Sequence, residues 1–230
     1  MNREGKPSSF DLRLHAAGDR QVLANLCKGG ADLIRIFLTA KKSIEYFGKV
    51  KRVLYAYTVN DAIQDEATRE MNKAINDFMH YRESFLLRGY GTALDGLPSH
   101  TLHFFAIRRL RDRISRDTLA WYRRMYSEQN EGWAHTQKLL RYMASFCKAR
   151  DIKFTMAVFP VFYQLGDYPL KDIHDRLAAF AAEEGIEWID LLPLFAGKDE
   201  RDYWVHPRDF HPNTYAHREA ADFLYDAVDW

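Results

Sequence analysis

Near the C-terminus, Asp209 and His211 are two residues apart, and Pro212 and Asn213 follow them directly. Proline has a fixed φ and asparagine is a preferred N-cap, so these residues predict a helix that starts after Asn213. We expect Asp209 and His211 to lie on a rigid loop before that helix, with the carboxylate orienting the imidazole. A histidine oriented in this way can act as a general base, and acyl transfer is the chemistry that this pair indicates.

Two other places in the chain offer groups that could stabilise an oxyanion. Gly29 and Gly30 predict a tight turn after an apolar run, and glycine lets a backbone N–H approach a reacting oxygen closely. Asn60 ends a second apolar run, and its carboxamide can donate to the same oxygen. Each residue also has an ordinary structural explanation, because glycine suits any tight turn and asparagine commonly caps the helix that follows it.

The apolar pattern predicts the scaffold that would hold these groups. Apolar runs predict strands, and helical spacing of apolar residues predicts helices between them, in the order strand 21–27, helix 31–46, strand 52–59, a helix through residue 78, helix 131–149, strand 151–159, helix 170–184, strand 186–191 and helix 214–228. This alternation is typical of a parallel α/β sheet. Ligands bind beyond the carboxyl ends of such strands, and Gly30, Asn60, Asp209 and His211 all follow predicted strands. We therefore expect them to share one cleft.

One segment interrupts the alternation. Residues 82–117 contain several glycines, Pro98 and a cluster of arginines. We expect a mainly helical insertion at about residues 82–117, within a single domain that spans residues 1–230. The arginines fit a solvated helix face, and the alternative is a lid that contacts an anionic substrate.

The composition excludes several functional classes. Hydrophobic residues make up 47% of the chain and charged residues 28%, which is typical of a globular protein with a packed core. The net charge of +1 argues against nucleic acid as a partner held by bulk charge. No apolar run reaches transmembrane length. Cys27 and Cys147 have no metal-ligand spacing, so we expect buried free thiols.

The order of the candidate residues resembles that of the SGNH (GDSL-type) hydrolase superfamily. The resemblance extends over residues 20–230 and rests on four segments, residues 25–30, 59–61, 188–193 and 209–213. It implies a three-layer α/β/α sandwich with a flavodoxin-like parallel sheet. It also implies an esterase or acyltransferase activity that needs no cofactor. By the same resemblance, Gly30 and Asn60 are oxyanion donors, His211 is the general base and Asp209 is its partner.

The chain departs from the family pattern in two respects. Thr58 stands where the family often has a glycine, two residues before the asparagine. More importantly, no Gly-Asp-Ser turn follows an apolar strand, and Ser8 and Ser9 follow only seven polar residues. The nucleophile is therefore not identified. We expect the sequence to begin after the catalytic serine and to lack the first, central strand of the sheet.

The leading hypothesis is an SGNH-type serine esterase or acyl hydrolase that acts on a small acyl ester, such as an O-acetyl group on a glycan. In the truncated form we expect it to be inactive. The alternatives are an O-acyltransferase of the same fold and a non-catalytic pseudoenzyme or binding module. A metal-dependent hydrolase that uses His206, Asp209 and His211 is a further alternative, because two histidines and a carboxylate suit zinc. The sequence predicts no compartment.

Overall fold

The computed structural model describes residues 33–88, 113, 115–206 and 209–230. They fall into two compact units, one from the described parts of Met1–Asp61 and Lys138–Trp230 and the other from those of Ala62–Gln137. The chain is a mixed α/β protein, and the first unit contains a three-stranded parallel sheet. The α/β class predicted from the sequence is confirmed. The predicted strand 21–27 lies outside the described residues.

The parallel sheet has the strand order β1–β2–β3, with β1 at Arg52–Thr58, β2 at Lys153–Phe159 and β3 at Glu187–Asp190. In the register, Tyr55 pairs with Met156, and Met156 pairs with Trp188. The central strand β2 is buried at every position after Lys153. A strand covered on both faces needs a nearly continuous apolar run, which β2 has apart from Thr155, and this explains why the sequence predicted β2 well.

Among the described residues, five helices correspond to helices that the sequence predicted, whereas those at 115–125 and Leu192–Phe195 were not predicted. In chain order they are α1 (Leu33–Phe47), α2 (Glu66–Arg88), α3 (115–125), α4 (Glu131–Lys148), α5 (Lys171–Glu184), the short α6 (Leu192–Phe195) and α7 (Thr214–Ala227). Helix α5 ends at Gly185, whose φ of 64° is in the left-handed region that glycine adopts without strain. The buried stripe of α1 is centred on Leu33, Phe37, Ala40 and Ile44, and Ile34 lies off this stripe and is 51% exposed.

Helix α7 covers part of the sheet in the first unit. Its side chains Ala216, Ala220 and Leu224 share one buried cluster with Ala157 and Phe159 of β2. The cluster continues past the carboxyl ends of the strands, where it includes the aromatic side chains Phe162, Phe195 and Tyr203. The core of this unit therefore extends beyond the strand ends, and it supports the segments that carry the predicted site.

In the second unit, close backbone packing brings residues before α2 against the first turn of α4. A Cβ at Gly132 would lie 1.9 Å from the carbonyl oxygen of Ile63, so only glycine allows this approach. The Ile63 N–H donates to Thr136 Oγ1 at 2.8 Å. The indole of Trp121 in α3 donates to the Thr68 carbonyl oxygen at 3.0 Å. Of the segment predicted as an insertion, residues 82–117, the described residues 82–88, 113 and 115–117 belong to this unit, and residues 89–112 and 114 lie outside the described part.

Candidate functional site

The segment that carries Asp209 and His211 forms a strand, and our prediction of a loop was wrong. Strand β5 (Asp209–Pro212) pairs antiparallel with β4 (Trp204–His206), and His206 is opposite Asp209. Strands of three and four residues are too short to show an alternating pattern, so the sequence did not reveal them. Because alternate residues of a strand point to the same face, the Asp-x-His spacing places both side chains together.

Asp209 and His211 form a hydrogen-bonded pair. Nδ1 of His211 lies 2.5 Å from Asp209 Oδ1, and the His211 backbone N–H donates to the same oxygen at 3.1 Å. The His211 side chain hydrogen bond is the main reason why the pKa of Asp209 lies below its ordinary value. The pair is exposed, with 80% of the His211 side chain and 47% of the Asp209 side chain accessible. Among the described residues, His211 Nε2 has no hydrogen-bond partner, so this nitrogen is open to a ligand.

A hydrogen bond anchors the β4–β5 hairpin to the rest of the unit, because the Trp204 indole N–H donates to the carbonyl oxygen of Phe162 at 2.7 Å. The Asn213 N–H donates to the carbonyl oxygen of Tyr203 at 2.8 Å and closes the open end of the hairpin. Phe162 is buried and lies three residues beyond the end of β2. Asn213 caps α7 by accepting from the N–H groups of residues 215 and 216, as the sequence predicted. The hairpin is therefore held at the carboxyl end of β2.

Asn60 lies at the carboxyl end of the neighbouring strand β1. It is exposed and sits in the single helical turn Val59–Asp61 that follows the strand. The ordinary explanation, that Asn60 caps the next helix, does not apply, because α2 begins at Glu66. Asp65 caps that helix instead, and its Oδ1 accepts from the Thr68 N–H at 2.7 Å.

Two of the predicted positions lie at the same edge of the sheet. Strands β1 and β2 are parallel neighbours, so Asn60 and the hairpin with Asp209 and His211 lie beyond the same ends of the strands. Gly30, the other predicted oxyanion donor, lies outside the described residues. No serine of the described part of the chain forms a hydrogen bond with His211, and the nucleophile remains unassigned.

The metal-dependent alternative has no structural support within the described ranges. There, no group of three or more histidine, cysteine, aspartate or glutamate side chains is arranged to hold a metal ion. His206 and Asp209 are opposite each other on the hairpin, and Asp209 contacts His211, yet the three side chains do not form such a group. Their order in sequence suggested a zinc site that their positions do not provide.

A second histidine–aspartate pair, which the sequence analysis missed, lies in the core. His174 of α5 is only 1% exposed, and its Nδ1 lies 2.8 Å from Oδ1 of Asp190, the last residue of β3. Its Nε2 lies 3.3 Å from the hydroxyl of Tyr168, which accepts from the Val161 N–H at 3.0 Å. The available signal was the position of His174 beside Ile173 on the buried face of α5.

A neutral ring satisfies every contact of this buried pair. If Nδ1–H donates to Asp190, Nε2 is left to accept from the Tyr168 hydroxyl, whose oxygen then accepts from the Val161 N–H. Asp190 Oδ1 also accepts from the Leu192 N–H at 2.9 Å. Both ring nitrogens are therefore used, and the residue ties β3 and α5 to the segment that follows β2. This is a structural role.

Comparisons with protein-family models, with curated proteins and with solved structures found no match to this chain. The resemblance to SGNH hydrolases thus rests on the residues of its four segments alone. Within the described ranges, none of the helices combines the length and the apolar character that crossing a bilayer requires.

Proposed function

We propose that the chain belongs to an SGNH-type serine esterase or acyl hydrolase that acts on a small acyl ester, such as an O-acetyl group on a glycan. The observation that carries this proposal is the hydrogen-bonded pair of Asp209 and His211 at the carboxyl side of a parallel sheet. Its open Nε2 is the atom that a general base of this class would use. Asn60, beyond the end of the next strand, supports the assignment.

In the proposed mechanism, Asp209 holds Nδ1 of His211, so Nε2 accepts the proton of a serine hydroxyl as its oxygen attacks the ester carbonyl. The Asp209 carboxylate stabilises the imidazolium, and the amide of Asn60 with the backbone N–H of Gly30 binds the oxyanion. The imidazolium then returns the proton to the leaving alcohol. Water repeats the sequence on the acyl-enzyme. In an O-acyltransferase, a second alcohol would take the place of that water.

The finer architecture is also a proposal. We propose a three-layer α/β/α sandwich with a flavodoxin-like sheet. The parallel order β1–β2–β3 is compatible with one side of such a sheet. Tyr55 of β1 contacts Phe37 of α1, with ring centroids 5.7 Å apart. The preceding residue of the strand, Leu54, packs against the buried cluster to which α7 contributes. Alternate residues of a strand point to opposite faces, and this supports helices on both sides.

A non-catalytic binding module of the same fold is the second candidate. The observation that favours it is the 80% exposure of His211 together with the lack of a serine partner among the described residues. A general base usually acts in a site that excludes water. An exposed histidine without a nucleophile fits a surface that binds an ester or a glycan without cleaving it.

The deciding experiment extends the reading frame upstream of the Met1 codon to the first in-frame stop codon. The longer protein is assayed with p-nitrophenyl acetate and with an acetylated glycan. We expect turnover that His211→Ala lowers about 1,000-fold or more, because the general base is lost. His206→Ala is the matched control, since His206 is an exposed histidine on the same hairpin, and it should keep most of the activity.

Two results would contradict the esterase proposal. One is a longer protein whose ester turnover is unchanged by His211→Ala. The other is a stop codon directly upstream of Met1 together with no turnover by the 230-residue chain, which would favour the binding module. Saturable binding of the acetylated glycan without hydrolysis, measured by calorimetry, would then support that second candidate.

A further inference from the structure

The turn after β1 contains more hydrogen-bond acceptors than its hydroxyl protons can serve. Thr58 Oγ1 lies 2.7 Å from Asn60 Oδ1 and 2.8 Å from Asp61 Oδ1. A threonine hydroxyl has one proton, so it cannot donate fully to both oxygens. The other carboxylate oxygen, Asp61 Oδ2, has its own donors: it accepts from the Thr58 N–H at 3.0 Å and from the Tyr55 hydroxyl at 2.9 Å.

The chemistry of the two acceptors decides where that proton goes. An ionised carboxylate only accepts, and a hydrogen bond to it is stronger than one to a neutral amide oxygen. The Thr58 proton therefore goes to Asp61 Oδ1, and the Asn60 atom next to Thr58 Oγ1 has to be a donor. The two ends of a carboxamide have almost the same shape, so rotating the amide by half a turn places Nδ2 there. In this orientation Thr58 Oγ1 no longer faces two acceptors.

We infer that Thr58 is a positioning residue which, held by Asp61, orients the carboxamide of Asn60 as a hydrogen-bond donor. Asn60 Nδ2 then gives one N–H to Thr58 Oγ1 and presents its other N–H at the exposed carboxyl end of β1. This inference deepens the proposed function and rests on it, because an oxyanion donor is most effective when its orientation is set before the reaction. It also gives Thr58 a role at the position where the resemblance leads us to expect glycine.

The first test is spectroscopic and does not depend on activity. In ¹⁵N-labelled protein, the two side-chain N–H signals of Asn60 are assigned by their loss in Asn60→Ala. We expect one of the two protons to be shifted downfield by its bond to Thr58. Thr58→Val keeps the shape but removes the hydroxyl, so both signals should move to the positions of a freely solvated asparagine. Thr58→Ser keeps the hydroxyl and should preserve the parent signals.

The second test is kinetic and uses the longer protein described above. Thr58→Val should lower kcat for p-nitrophenyl acetate about tenfold with little change in KM, because the Asn60 amide that loses its orientation contacts the oxyanion only in the reacting complex. Thr58→Ser should retain the parent kcat. Thermal unfolding of each variant checks that the sheet is intact, and Thr58→Ala replaces Thr58→Val if the valine variant does not fold.

The outcomes separate this inference from the proposed function. If no ester is turned over, the proposed function fails, and the N–H signals of Asn60 still decide whether Thr58 orients the amide. If ester is turned over but Thr58→Val changes neither the Asn60 signals nor kcat, the inference about Thr58 is overturned and the proposed function stands.

Discussion

The first unit contains the same pair of residue types twice, in opposite environments. In the buried pair, His174 Nδ1 lies 2.8 Å from Asp190; in the exposed pair, His211 Nδ1 lies 2.5 Å from Asp209. The histidine side chain is 1% accessible in the buried pair and 80% accessible in the exposed one. The contact between ring and carboxylate is thus nearly the same, while the access of solvent differs almost completely.

This difference shows that a histidine–aspartate contact alone does not define a catalytic pair. His174 uses both ring nitrogens for neighbours within the fold, and the second contact is with Tyr168. His211 uses only Nδ1 among the described residues and leaves Nε2 open. A buried ring with two partners holds secondary-structure elements together, whereas an exposed ring with one partner is available for a substrate.

The largest expected difference between the two pairs is in chemical accessibility. Diethyl pyrocarbonate modifies neutral imidazole nitrogens that are accessible to the reagent. Peptide mass spectrometry then reports which histidine has reacted. We expect His211 to be modified well before His174, because His174 is 1% exposed and both of its nitrogens are hydrogen-bonded. In urea both should react. Equal modification rates for His211 and His174 in the native protein would show that the buried pair opens readily, and would contradict the distinction between the two pairs.

The next largest effect is on stability. We expect His174→Ala to lower the free energy of unfolding by about 2–4 kcal/mol, since it leaves a cavity and deprives Asp190 and Tyr168 of a partner. His211→Ala is the matched control and should change stability by less than about 0.5 kcal/mol, as is usual for an exposed side chain. Urea unfolding followed by circular dichroism measures both. Similar losses for the two variants would contradict the assigned roles.

A smaller effect is expected when only a hydroxyl is removed. Tyr168→Phe keeps the ring but takes away the group that joins His174 to the Val161 N–H. We expect a loss of about 1 kcal/mol in the free energy of unfolding. Tyr215→Phe is the control, because Tyr215 is 53% exposed and solvent can replace its hydroxyl contacts. If Tyr168→Phe is as stable as the control, the chain of hydrogen bonds does not hold this segment.

The smallest effect concerns the titration of Asp209. Its pKa lies below the ordinary value because the His211 side chain, and then the His211 backbone N–H, hydrogen-bond to the carboxylate. His211→Ala should raise the pKa of Asp209 only part of the way, since the backbone donor remains. Carboxyl ¹³C shifts measured against pH report the change. His206→Ala should raise it less, because the charge of His206 is a weaker cause.

The sign of the linked stability follows from the direction of this pKa shift. A depressed carboxyl pKa adds stability above the unfolded-state pKa, and that stability is lost as the pH falls through the folded-state pKa. Because solvent screens an exposed pair, the titration of Asp209 is a better measure than acid unfolding. An unchanged pKa of Asp209 in His211→Ala would show that the two side chains are not in contact in solution.

Local signals in the sequence predicted much of the fold. Asn213 marked the start of α7, helical spacing of apolar residues predicted α5, and the apolar run of β2 predicted a buried strand; the structure confirms all three. Each signal acts over a few residues, through a cap, a helical period or a nearly continuous apolar face. The Asp209–His211 contact was predictable for the same reason, since two residues of spacing are enough to join the side chains.

By itself, then, the sequence determined the α/β class, the main helices and the contact between Asp209 and His211, because these depend on neighbours along the chain. Only the tertiary structure decided that His174 is a buried structural residue and that His211 is exposed. Asp190 is 16 residues from His174 in the sequence, and Trp204 is 42 residues from Phe162, whose carbonyl oxygen anchors it. Burial depends on which distant elements pack over a side chain, and no spacing in the sequence encodes that packing.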